Sequence, residues 1–128
     1  MGQQQLLLVI LGVIIVGFAI AIGISLFGAQ SVSSNRDAMI SDIHHLSMIA
    51  YQFRISLRSL GGGEGNYSTF VIPLQMRNTN NGTYSVADAQ ATSLTLMGVS
   101  SVDASNTIVV TLDSNGRLGN LTFGGDFQ

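Results

Sequence analysis

The chain has 128 residues, 46% hydrophobic and 9% charged, with five arginines, no lysine and seven Asp plus Glu, for a net charge of −2. That balance is not basic enough for nucleic acid as a primary ligand, which requires a cationic footprint against phosphate. The absence of cysteine excludes disulfides, zinc–thiolate sites, iron–sulfur clusters and covalent haem attachment together, and no cofactor is expected.

Met1–Gln5 is a short uncharged head. Leu6–Phe27 follows, 22 residues without a charge and with Ser25 as its only hydroxyl. As a helix it is roughly 33 Å long, enough to cross a bilayer core of about 30 Å. A core helix of a small soluble domain shows a polar face, and this stretch has none. No Lys or Arg precedes it, and it exceeds the ~7–15 apolar residues of a secretory signal, so a permanent hydrophobic helix is expected. Gly12, Gly17 and Gly23 are spaced five and six apart, which is not the spacing that lets two helices cross closely.

From Ala29 the hydrophobicity becomes one-sided. Apolar residues recur in steps of three and four through Met39, Ile43, Leu46, Ala50, Phe53 and Leu57, the amphipathic helix period. One helix is therefore predicted from about Gln4 to Leu60, stopped by Gly61-Gly62-Gly63. Gly61–Gly65 follows a helix and lacks the Gly-Lys-Ser/Thr ending of a phosphate loop, so it reads as a flexible hinge.

Beyond the loop the period switches to two. Tyr67–Leu74 ends near Pro73 and is at best an edge strand. Asn78–Gly82 is turn material. Four strands are predicted at Thr83–Ala89, Ser93–Val99, Thr107–Leu112 and Arg117–Phe123, the last two forming a hairpin that turns at Asn115-Gly116. Short connections give an antiparallel meander. The predicted class is α+β, with residues 1–28 as the hydrophobic helix, 29–60 as its amphipathic half and 61–128 as an antiparallel head. Ile40, Ile43, Leu46, Ala50, Phe53 and Leu57 are expected to pack on Val86, Leu94, Leu96, Val109 and Leu121.

No catalytic constellation appears, and an enzyme is not expected. His44 and His45 point about 100° apart on a helix and so do not share an ion; they read as surface or interface residues. Asn66-Tyr67-Ser68, Asn81-Gly82-Thr83 and Asn120-Leu121-Thr122 match the glycosylation sequon, making Asn66, Asn81 and Asn120 candidate acceptors. Phe18, Phe27, Tyr51 and Phe53 read as packing residues rather than an electron-conducting series.

A short head with glycine, a hydrophobic helix running into an amphipathic one, a glycine-rich loop and a small antiparallel sheet together resemble type IV pilins and pseudopilins. In architecture the resemblance covers the whole chain. In motif it covers the start, where Gly2 followed by Gln3-Gln4-Gln5-Leu6-Leu7-Leu8 looks like a reduced prepilin-peptidase region. The resemblance implies that Gly2 precedes the cleavage point and that Gln3 is the first mature residue. Three features differ from the family pattern. Only Met1 precedes the glycine, where basic residues are usual. No acid occurs before Asp37, where a glutamate usually follows the cut. No disulfide closes the C-terminal loop. A glutamine amide accepts a hydrogen bond from a terminal ammonium, more weakly than a carboxylate does.

The function expected from these readings is structural. The chain would polymerise into an extracellular pilus-like filament, a fimbrium of the kind used in cell adhesion, motility, DNA uptake or secretion. Its core would be formed by Leu7, Ile10, Ile14, Phe18 and Ile22. Before assembly the helix would lie in the cytoplasmic (inner) membrane, and the partners would be further copies of the chain and a pilus assembly machinery. A pseudopilin of a secretion apparatus, or a single-span anchor displaying a binding domain, is the alternative.

Overall fold

The computed structural model describes residues 2–128. Helix α1 spans Gly2–Ile55, 54 residues without interruption. It is followed by a 3-10 turn at Arg58–Leu60, a one-turn helix α2 at Leu74–Arg77, strands β1 (Gly82–Ala89), β2 (Leu94–Ser100), β3 (Thr107–Leu112) and β4 (Thr122–Gly124), and a closing 3-10 turn at Gly125–Phe127. The class is α+β, as the change of period predicts. The chain divides into two compact units, one up to Ser33 and one from Ser34 to Gln128.

In the first unit every side chain from Leu6 to Phe27 is exposed. The helix satisfies its own backbone groups, so nothing in its polar chemistry calls for a cover. It is long and apolar enough to cross a membrane.

In the second unit, the four strands form one antiparallel sheet in the order β1-β2-β3-β4. Consecutive neighbours pair throughout, which is a meander. The remaining part of α1 covers one face of it. Met39, Ile43, Leu46, Ser47 and Ala50 are buried from the helix, opposite Leu94, Leu96, Ile108, Val110 and Leu112 from the sheet. The Met39 methyl lies against Gly82 and Gly98. Tyr67, Phe70, Ile72 and Phe127 close the core. Strand β2 alternates perfectly between buried and half-buried positions, as a strand with one covered face must.

The predicted packing differs at six residues. On β3 the buried set is Ile108, Val110 and Leu112, so Val109 faces away; a one-residue shift in reading the alternation exchanges the two faces. Val86 and Leu121 are only half-buried, and so are Ile40 and Phe53. Leu57 is 57% exposed because α1 has already ended.

That end comes at Ile55 rather than near Leu60. The glycine loop supplies the reason. Gly63 N–H donates to Phe53 O at 2.8 Å, Gly62 N–H to Leu57 O at 3.0 Å and Glu64 N–H to Ser56 O at 2.9 Å, while Gly65 N–H caps Arg54 O. Carbonyls that a longer helix would fill from residues 57 to 61 are filled by loop amides instead. The loop predicted as a hinge is thus folded back on the helix end. Gly63 is buried there, and a Cβ on it would overlap Asn66 O and the Phe53 ring.

Two other elements depart from expectation. Tyr67–Leu74 forms no strand; Phe70 N–H returns to Tyr67 O at 2.9 Å, and Pro73 opens α2. The fourth strand is three residues long instead of seven, because the segment from Arg117 keeps only an isolated bridge between Leu118 and Leu112 before Gly119 and Asn120 interrupt the ladder. The turn before it forms as predicted at Asn115-Gly116. Gly116 takes φ 78°, where a side chain is strained, and sits against the Tyr51 ring.

Candidate functional site

Two features of the molecule bear on function: the bare apolar helix, and the polar ties that fix the rest of α1 to the sheet.

Within Leu6–Phe27 the least exposed large side chain is Ile14 at 48% and the most exposed is Phe27 at 76%. Leu7, Ile10, Ile14, Phe18 and Ile22 are all exposed, and their steps of three and four put them on one stripe. The same exposure holds for Leu8, Leu11, Ile15 and Ile24 on other sides, so no single seam is marked out. A lone apolar stripe would specify one neighbour; an apolar surface on all sides suits lipid or several helices at once. Gly2 and Gln3 are exposed helical residues at the start of α1, and Met1 lies outside the described residues.

The second feature is a polar cluster where α1 meets the start of β1. Asp42 Oδ2 accepts from Tyr84 Oη at 2.6 Å, Asn81 Nδ2 at 3.0 Å and Thr79 Oγ1 at 3.1 Å. Seven residues earlier, and therefore on the same side of the helix, Asn35 Nδ2 donates to Asn81 O at 3.0 Å, and its Oδ1 accepts from the Ser100 hydroxyl. Burial, followed by the hydrogen bond to Asp42 and its charge, pushes the Tyr84 phenol far above its ordinary value. A carboxylate with three donors meets the requirement that a partly buried charge be satisfied.

At the other end of the same helical segment Arg54 Nη1 donates to Ser114 O at 2.6 Å, and its guanidinium lies 5.4 Å from the Tyr67 ring centroid. Tyr67 Oη donates to Asp113 O at 2.9 Å. Burial raises the Tyr67 phenol, with Arg54 acting against it. Arg36 lies over Phe123 at 5.6 Å. Its Nε and that of Arg54 are buried without a hydrogen-bond partner among the described residues, so both guanidinium stems serve mainly as packing over a ring.

The sequence reading missed the Asp42 cluster. It took Asn78–Gly82 only as a turn. The signal was there: Asn35 and Asp42 fall on the side of α1 shared by Met39 and Ile43, where a polar residue needs a partner.

The remaining candidates are dispersed. Asn120 is exposed. Asn66 is half-buried with its Oδ1 accepting from Ser68 N–H at 2.7 Å. Asn81 spends its side-chain amide on Asp42, the nitrogen that a glycan would occupy. His44 and His45 are exposed on α1, and no group of three or more His, Cys, Asp or Glu able to hold a metal occurs among the described residues. A scan against protein-family models, a search of curated proteins and a search of solved structures each found no match to this chain.

Proposed function

We propose that this chain is a structural subunit that polymerises into an extracellular type IV pilus-like filament through Leu6–Phe27. The observation that carries the reading is the exposure of that helix on every side, joined to a head whose own core is closed. Exposed apolar surface costs roughly 25 cal/mol per Å² in water, so the helix requires lipid or protein around it. In the membrane, lipid serves. On leaving it, helices of neighbouring copies replace the lipid, with Leu7, Ile10, Ile14, Phe18 and Ile22 among the core contacts. Contacts of this head-to-tail kind do not close on themselves and generate an open polymer.

The test is electron microscopy of the purified chain, with Val13→Asp and Ile20→Asp beside the wild type. A single charge at mid-bilayer costs about 2.5–3.5 kcal/mol on insertion scales, which a long apolar span tolerates. In a helical core the same charge recurs in every subunit without a basic side chain beside it, since Arg36 is the nearest one along the chain. The expected outcome is a mutant found in membranes that makes no fibres. Normal fibres from both variants would remove Leu6–Phe27 from the filament core and favour a single-span anchor.

A further inference from the structure

The head carries a groove of about 360 Å³ beside β1, with apolar walls from Phe70, Val71, Ile72 and Val86 and a single cation, Arg77, at its edge. Arg77 Nε donates to Ile72 O at 3.0 Å, which fixes the side chain along the groove. No carboxylate of the described chain pairs with it, so the guanidinium is positioned but unneutralised. An apolar floor with one fixed cation selects an apolar group carrying an adjacent negative charge.

The same chain presents such a group. The large apolar side chains exposed on the head are Met48, Ile55, Leu57, Leu60, Val71, Leu74 and Val102. Only Val102 has an acidic neighbour in sequence, Asp103. The pair sits in the loop between β2 and β3, with Val102 64% exposed. Asp103 Oδ1 accepts from Ser105 N–H at 3.0 Å and from the Ser105 hydroxyl at 2.8 Å, which holds the loop in shape. These two bonds, the backbone one first, hold the carboxyl below its usual range.

We infer that the Val102–Asp103 tip of one copy docks in the Phe70–Val86 groove of a second copy, Val102 on the apolar floor and Asp103 against Arg77. Tip and groove are different sets of residues on one head, so every copy offers one of each. In a polymer each head takes the tip of one neighbour and gives its own to the next, a heterologous contact. It rests on the filament reading for its biological setting, and it supplies that filament with a charge-matched contact between heads in addition to the apolar helices.

The experiment is a double-mutant cycle read by fibre yield. Arg77→Gln and Asp103→Asn each remove one charge, and asparagine keeps the acceptor that the turn bonds need. Each is expected to reduce fibres at least tenfold, and the double variant to reduce them no further than the single ones, because both remove the same contact. Unchanged yield with either single variant, or a double variant whose loss is the product of the two single losses, would overturn the inference. A second readout uses the absence of native cysteine. Val71→Cys and Val102→Cys chains, mixed in detergent with a mild oxidant, are expected to cross-link to each other in preference to themselves. Cross-links without fibres would uphold the head contact and defeat the filament reading; fibres without cross-links would do the reverse.

Discussion

Tyr84→Phe isolates one bond of the cluster joining α1 to the sheet. The ring stays buried, since Tyr84 is 2% exposed, and only the hydroxyl that donates to Asp42 at 2.6 Å is lost. A hydrogen bond to a charged group contributes about 1.5–3 kcal/mol. Asp42 keeps Asn81 and Thr79 as donors, so the variant should lose an amount near the lower end, about 1.5 kcal/mol. Urea denaturation of the full chain in non-ionic detergent, followed by circular dichroism, reads this as a midpoint lowered by roughly 1 M for a head of this size. The pH dependence gives an independent signature. The folded Tyr84 phenol is raised above its unfolded value of 10.0, so its contribution is fully present below pH 10 and is lost as pH climbs towards the folded value. In that window the unfolded chain has released the proton and the folded chain has not, so stability falls with rising pH by at most about 1.4 kcal/mol per unit. Tyr84→Phe should flatten this alkaline fall, leaving the part due to Tyr67, which is raised in the same direction. A variant within about 0.5 kcal/mol of wild type, the range of ordinary surface changes, with an unaltered alkaline slope would refute the reasoning.

Two further outcomes test the helix assignment. Ile43→Ala, at a fully buried position, should cost about 2–5 kcal/mol in the same denaturation assay, whereas Leu57→Ala, beyond the end of α1 and mostly exposed, should stay within about 0.5 kcal/mol. Gly63→Ala should cost about 1–3 kcal/mol by crowding Asn66 O and the Phe53 ring; a hinge would accept the change freely.

Periodicity carried the fold further than it carried the site. The 3.6-residue recurrence of Met39, Ile43, Leu46 and Ala50 located the covered face of α1, and the alternation in Leu94–Ser100 located the covered face of β2. Both signals are strong because one face is dry and the other wet. The failures occurred where that contrast is weak. In TIVV the apolar run carries no alternation, so Val109 and Val110 were exchangeable until the partner strand fixed the register. The helix end was misplaced because Leu57 and Leu60 continue the apolar spacing after the backbone has turned away, and spacing does not register where loop amides will land. Gly61–Gly65 has the composition of a hinge, yet its amides are occupied by the carbonyls of the preceding turn. The apolar helix was fully legible, since it needs no partner within the chain to define it. For the Asp42 cluster the spacing on α1 marked a polar residue in need of partners, but those partners lie 37 to 42 residues away, and no local pattern names them.

The position of that cluster has a mechanical consequence. A pull on the chain before Ser34 enters the head at Asn35, the first residue of α1 tied to the sheet. Asn35 grips Asn81 and Ser100, and one turn-pair later Asp42 grips Tyr84, Asn81 and Thr79. Asn81 belongs to both grips, so tension reaching the first is shared with the second through one loop. Met39 between the two grips, and Ile43 and Leu46 just beyond them, are buried in the core. Such a pull therefore meets both grips before it reaches the exposed segment at Leu57–Leu60, which follows the end of α1.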